Sequence, residues 1–233
     1  MICVIPARSG SKRIPHKNIK SFCGNPIIFW SILAARKSKL FDKIVVSTNC
    51  DEIKAVALKY GAEVPFKRPN DLADDFATTN DVMLHATSQC EALGYSAEVL
   101  CCLYATAPFV TPMDLQSATR AIHEKDWDYV FSAAKYPSSI FRSFTILPDG
   151  AVEMVYPDFF STRTQDLDAT YYDAGMFYFG KKEAWLSGER IFGERSHPLL
   201  IPQTRVHDID DQDDWERAEL FAKTLFPNLA QYT

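Results

Sequence analysis

Apolar positions follow two rhythms along this chain. Short apolar runs stand at Met1 to Ile5 and Lys43 to Thr48, both rich in β-branched residues, and at Glu98 to Tyr104 and Tyr129 to Ala133. Each is too short for a helix, so each predicts a buried strand. Between them apolar residues recur at helical spacing. Ile28, Ile32 and Ala35 predict a helix over Pro26 to Lys39, with closing cations that complement the helix dipole. Asp51 caps a second helix that reaches Tyr60 and stops at Gly61. Val82, Ala86 and Cys90 predict a third over Thr79 to Leu93, and Met113 to Glu124 reads as a fourth. Gly175 to Phe179 returns to strand, and Asp211 to Leu225 forms an amphipathic final helix. Strands and helices alternating at these lengths imply a doubly wound α/β fold, a mostly parallel sheet with helices on both faces.

From about Tyr136 to Tyr171 the rhythm breaks. Prolines and aromatics surround short alternating stretches such as Phe144-Thr145-Ile146-Leu147, followed by a Pro148-Asp149-Gly150 turn. Residues 136–171 therefore read as a small β-rich excursion. No repeat, linker or low-complexity tract interrupts the rest, and a chain of 233 residues is most simply one α/β domain.

The balance of charge changes the picture of partners. A formal charge of −5 opposes nonspecific nucleic-acid binding, which needs a net basic face. Six cysteines lack C-x-x-C spacing, and three sit in apolar runs, which fits buried reduced thiols. No apolar run is long enough for a bilayer span or a signal-peptide core, so a cytoplasmic protein without membrane contact is expected. His16, His85, His123, His197 and His207 are scattered without a zinc pattern, and the Gly-x-Ser-x-Gly of a hydrolase elbow is missing.

Against this acidic background one loop is basic. Arg8, Ser9, Ser11, Lys12, Arg13 and Lys17 cluster with Gly10 directly after the first strand. Gly10 is expected to take a backbone conformation closed to other residues, turning N–H groups toward an anion while the cations neutralise phosphate oxygens. The pattern is neither the dinucleotide fingerprint nor a P-loop. A solvated basic loop is the plain alternative; the position beyond the carboxyl end of a strand favours a ligand, most simply a polyphosphate. By position Arg8, Ser11, Lys12 and Lys17 form the clamp. Asn18 offers an amide for a nucleotide, or serves as a turn residue. Near the other end, Asp208 and Asp210 lie two apart, so on an extended segment both carboxylates share one side and suit Mg²⁺. Capping of the last helix is the alternative for them, and the simpler reading for Asp211, Asp213 and Asp214.

Ile5-Pro6-Ala7-Arg8-Ser9-Gly10-Ser11-Lys12-Arg13-Ile14-Pro15-His16-Lys17-Asn18 resembles the N-terminal signature of the CMP-nonulosonic acid synthetases. The resemblance continues through Phe41 to Thr48, Arg68-Pro69 with Leu72 to Asp75, Ala105 to Pro108, Asp208 to Asp210 and Trp215 to Glu219, nearly the whole chain. It implies transfer of CMP from CTP to the anomeric hydroxyl of an acidic nine-carbon sugar. Asp208 and Asp210 would hold the metal, Arg68 would lie near the nucleotide, and the β-rich excursion would pair two subunits as a homodimer. Tyr104 and Asp173 would shape the sugar pocket. A fork-like guanidinium suits the sugar carboxylate, and Arg163 is the candidate, with Arg142 and Lys135 behind it. Leu103 to Val110 and Tyr172 to Gly175 are most similar to the members acting on pseudaminic acid. They depart from the sialic acid enzymes, which carry Gln before Pro-Thr and Arg-Pro-Asn before Gly; Asn49 and Ser9 are smaller departures. Another nonulosonic acid, Kdo, or a non-catalytic nucleotide-binding module are the alternatives.

Overall fold

The computed structural model describes residues 1–226. The basic loop leaves the first strand, β1 (Ile2–Pro6), and passes through a two-stranded ribbon, β2 (Ser21–Phe22) and β3 (Asn25–Pro26), into α1 (Ile27–Ser38). Then come β4 (Lys43–Ser47), α2 (Asp51–Lys59), α3 (Thr79–Ala92), β5 (Val99–Leu103), α4 (Pro112–Glu124) and β6 (Tyr129–Lys135). A hairpin of β7 (Phe144–Ile146) and β8 (Val152–Met154) precedes β9 (Tyr171–Lys181), α5 (Lys182–Ser187), β10 (Ser196–Leu200) and α6 (Gln212–Leu225).

Six strands form the main sheet in the order β10-β6-β9-β5-β1-β4. Its pairs β1 with β4, β1 with β5 and β10 with β6 are parallel, whereas β9 runs antiparallel between β5 and β6. The expected mostly parallel, helix-covered sheet is therefore present. Side chains alternate across it as the pleat requires. Cys3, Ile5, Cys101 and Leu103 enter a core shared with α1, α2, α4 and α6, while Ile2, Val4, Leu100 and Cys102 enter a smaller one under α3 and α5. Thr78 and Asp81 cap α3 reciprocally, as Thr111 and Asp114 cap α4 with Pro112 in its first turn.

The strand read as Gly175 to Phe179 is the inner part of β9, an 11-residue strand. Its register shifts against β6 between Phe131 and Ala133. Ser132, fully buried at the shift, accepts from the Met176 and Phe177 amides at 3.1 and 3.2 Å. Gly175 sits there at φ +60°, where a side chain would be strained. Gly180 is needed for a different reason: a Cβ would lie 2.5 Å from the Trp185 indole nitrogen and 2.6 Å from the Tyr129 ring.

Residues 136–170 leave the sheet between β6 and β9. The hairpin pairs Phe144 with Met154 and Ile146 with Val152, and Ile146 and Phe160 are 74% and 71% exposed. Arg142 ties this region together by donating to the carbonyls of Phe160, at 2.8 Å, and Thr162. No helix among the described residues is long and apolar enough to cross a membrane.

Candidate active site

A cleft of about 610 Å³ opens beyond the carboxyl ends of β1 and β5. Arg8, Ser11, Lys12, Lys17, Asn18, Arg68, Tyr104 and Asp210 all line it, so most of the sequence candidates meet in one place. The loop after β1 is held from within. The Asn18 side-chain amide donates to the Arg8 carbonyl at 2.8 Å, and Asn18 is 9% exposed, so it braces the loop. Gly10 corrects an expectation: it does not lie at positive φ, and a Cβ there would make only ordinary contacts, with the Ala73 carbonyl at 3.8 Å and the Arg8 guanidinium at 4.0 Å. The left-handed residue of this loop is His16, at φ 52°.

Arg68 forms the floor. It is 3% exposed, and donates to the Ser47 carbonyl and, at 3.3 Å, to that of Leu72, while its Nε has no partner. Burial pulls its pKa down to about 10, with Arg8 adding to the effect, and the group stays charged at neutral pH. None of the ion pairs among the described residues gives Arg68 a carboxylate. A buried guanidinium held only by neutral carbonyls is costly without an anion, and the cleft is where one would sit.

The carboxylates arrive from the far end of the chain. Arg205 makes a forked pair with Asp114 of α4, with contacts of 2.5 and 2.9 Å, and donates to the Phe109 carbonyl at 3.1 Å. This anchors the extended segment before α6. The Lys17 ammonium donates to the Ile209 carbonyl at 2.7 Å and lies 3.6 Å from Asp210, which also pairs with Arg13 at 2.9 Å. Asp211 and Asp214 form the capping box of α6, so the cap does not employ the Asp208 or Asp210 side chains. Asp208 is exposed and, unlike Asp210, does not line the cleft. Partial desolvation, then repulsion from Asp210, holds its carboxyl above the ordinary value, with Lys17 opposing. Two carboxylates that disfavour each other's charge suit a divalent cation, and Mg²⁺ is commonly held by one or two carboxylates completed by phosphate and water. No cluster of three or more metal-ligating side chains occurs among the described residues.

At the opposite wall, the Tyr104 hydroxyl meets the Thr79 hydroxyl at 2.6 Å, and burial pushes the phenol up to about 12. Asp173 does not line the cleft. Its carboxylate accepts from the Tyr178 hydroxyl at 2.6 Å and the Gly175 amide at 2.9 Å, and the Tyr178 ring lies 5.5 Å from that of Tyr104. Arg163 is outside the cleft of its own chain: it is paired with Asp166 at 2.7 Å and its side chain is 72% exposed. Sequence reading did not single out Arg13, Asp75, Thr79 or Arg205 as site residues. Arg13 lay inside the basic cluster, Asp75 within the Leu72 to Asp75 motif and Arg205 three residues before the acid pair, whereas Thr79 carried no such signal.

Residues 2–206 match the family model described as cytidylyltransferase. The chain is 40% identical over 225 residues to a pseudaminic acid cytidylyltransferase of Campylobacter jejuni, covering 97% of this chain and 95% of that protein. It is 36% identical over 209 residues, 89% of this chain, to a Helicobacter pylori protein described as pseudaminic acid cytidylyltransferase and UDP-2,4-diacetamido-2,4,6-trideoxy-beta-L-altropyranose hydrolase, covering 40% of it. A solved CMP:2-keto-3-deoxy-manno-octonic acid synthetase complexed with CTP superposes with a TM-score of 0.71 at 13% identity, covering 96% of this chain and 98% of that one, which establishes the shared fold. With the match running from β1 through the cleft to the anchored Arg205, the chain belongs to the cytidylyltransferase family.

Proposed function

We propose that this chain transfers CMP from CTP to the anomeric hydroxyl of pseudaminic acid, releasing pyrophosphate and giving CMP-pseudaminic acid. The observation that carries the reading is the convergence of Arg8, Lys12, Arg13 and Lys17 on one cleft floored by Arg68, a buried cation with no carboxylate of its own. The 40% identity to a pseudaminic acid cytidylyltransferase over 97% of the chain supports the choice of sugar.

In this reading Arg8, Ser11, Lys12 and Lys17 hold the triphosphate and stabilise the charge that grows on the departing pyrophosphate. Asn18 keeps their loop in shape, and Arg68 faces the nucleotide from the floor. Asp208 and Asp210 would hold Mg²⁺, whose chemistry when bound is to neutralise charge on the phosphate oxygens. Tyr104 and Thr79 border the sugar, and Asp173 acts on that wall through Tyr178. The oxygen of the anomeric hydroxyl bonds to the α-phosphorus as the bond to the β-phosphate oxygen breaks, and the hydroxyl proton leaves to solvent.

We assign the exposed apolar excursion, residues 136–170, to contact between two copies of the chain. In the homodimer Arg163 would face the sugar carboxylate of the neighbouring subunit. Six free thiols fit a reducing compartment, and the cytoplasm is the proposed location.

The test is pyrophosphate release with CTP, Mg²⁺ and, in turn, pseudaminic, legionaminic, N-acetylneuraminic and Kdo acids. Pseudaminic acid should give the highest kcat/KM. Preference for N-acetylneuraminic acid would overturn the sugar assignment, and no release with any of the four would overturn the reaction.

A further inference from the structure

The cations assigned to phosphate are already engaged by an acid. Asp75 accepts from Arg8 at 2.7 Å and from Lys12 at 2.6 Å, one carboxylate oxygen to each. It sits on a short loop held both by its own hydrogen bonds and by Arg8. The neighbouring Asp74 side chain accepts from the Phe76 and Ala77 amides at 2.8 Å each, and the Asp74 carbonyl takes a further Arg8 hydrogen bond at 2.6 Å. Asp75 thus projects into the cleft from a braced turn and lines it together with Arg8 and Lys12. Lys12 is 81% exposed and Asp75 40%, so water reaches both.

We propose that Asp75 is an internal stand-in for a phosphate: it occupies the clamp when the cleft is empty, yields Arg8 and Lys12 to the triphosphate of the incoming nucleotide, and reclaims them to drive pyrophosphate out. The inference rests on the clamp reading given under the proposed function. Its physical basis is a competition between anions. Partly exposed ion pairs are worth little and break easily, whereas the oxygens of a triphosphate offer several charge-assisted contacts to the same cations. The fixed carboxylate therefore lowers affinity without preventing binding. It weakens the hold on pyrophosphate in the same proportion, and so shortens the stay of a product that a bare cluster of cations would retain. In the empty cleft it also relieves the mutual repulsion of Arg8, Lys12 and buried Arg68. Asp75 makes no contact with the reacting atoms in this scheme; it acts through the cations it holds.

Calorimetric titration of the purified protein with sodium pyrophosphate and with CTP tests this, using wild type, Asp75→Asn, Asp75→Glu and Glu194→Gln. Glu194 is exposed on the loop before β10, and its change removes the same unit of negative charge elsewhere. Loss of two surface ion pairs should tighten pyrophosphate and CTP binding to Asp75→Asn by about tenfold. Asp75→Glu should stay near wild type, and Glu194→Gln should match wild type. In steady state Asp75→Asn should lower the CTP KM and the pyrophosphate inhibition constant together, with kcat falling as product leaves more slowly. A merely structural residue cannot give this result, because damage does not tighten binding. Unchanged or weaker pyrophosphate binding by Asp75→Asn, or equal tightening by Glu194→Gln, overturns the role of Asp75. Failure of the wild-type protein to bind either CTP or pyrophosphate overturns the clamp itself.

Discussion

Lys17 and Ile209 are joined by one hydrogen bond of 2.7 Å across 192 positions of sequence. Through it the basic loop after β1 and the acidic segment before α6 become one wall, with Lys17 only 20% exposed between them. Lys17→Ala should therefore combine loss of a cation with loss of registration. Removing one stabilising contact to a charged transition state costs on the order of 100-fold in kcat. Lys17→Arg should recover part of it. Pyrophosphate release at saturating CTP and sugar measures the effect, and wild-type kcat for the alanine variant would remove Lys17 from the mechanism.

Asp208→Asn and Asp210→Asn should each cut metal-dependent turnover severely, because a neutral amide holds Mg²⁺ poorly against water. The two should differ in character. Asp210 also neutralises Arg13 and Lys17, so its loss should change CTP binding in the absence of metal, whereas loss of Asp208 should not. Titrating Mg²⁺ at fixed CTP separates them, and normal activity of both at limiting Mg²⁺ would leave them no metal role.

Arg205→Ala should unfold the protein at lower temperature. Its partner Asp114 has a side chain 11% exposed, and breaking a pair buried to this degree costs about 3 kcal/mol. Burial alone would raise the Asp114 carboxyl, but hydrogen bonds from Arg205 and Thr111 outweigh it and hold it below its ordinary value. A depressed carboxylate stabilises the fold above its unfolded pKa, and that contribution is lost as pH falls through the folded value. The gap in melting temperature between wild type and Arg205→Ala should thus be constant from about pH 5 upward and narrow below about pH 4. A gap that widened in acid would contradict this.

Tyr178→Phe removes the hydroxyl that satisfies Asp173 while keeping the ring beside Tyr104. A net hydrogen bond to a charged group is worth about 1.5 kcal/mol, so the sugar KM should rise about tenfold with the CTP KM unchanged. Equal changes in both constants would mean that this wall does not face the sugar.

Gly180→Ala tests the packing behind that wall. The added methyl must displace Trp185 or Tyr129, both at most 1% exposed, and overpacking of this kind costs about 1–3 kcal/mol. Thermal melting reads it directly.

The alternation of strands and helices was legible because β1, β4 and β5 are dense in β-branched or other apolar residues and their helices carry regular apolar stripes. What escaped was irregular. The edge strand β10 contains Pro198 and is half-exposed, so it has neither a strong apolar run nor clean alternation. At six residues α5 is too short to display a period. The antiparallel sense of β9 depends on where the excursion returns the chain, which no local pattern encodes. In the cleft, the basic loop was legible by composition, yet its left-handed residue is His16 and not Gly10. Asp75 was legible only as part of the Leu72 to Asp75 motif, because its partnership with Arg8 and Lys12 is created by folding, and nothing local showed that Asp173 bonds to Tyr178.

The strand β9 pairs with β6 at both ends and with β5 over Phe177–Lys181, is pinned by Ser132 at the register shift and is wedged at Gly180 under Trp185. Such a strand cannot slide by fractions of a residue, since register changes in whole steps. It therefore behaves as a stiff rod that leads from the surface excursion into the middle of the sheet, with Asp173 and Tyr178 riding on it. The excursion that feeds into Tyr171 and the Asp173–Tyr178 pair that stands beside Tyr104 are therefore set on one continuous strand. A displacement at the surface end of that strand would reach the Tyr104 wall of the cleft as a whole-residue step or not at all.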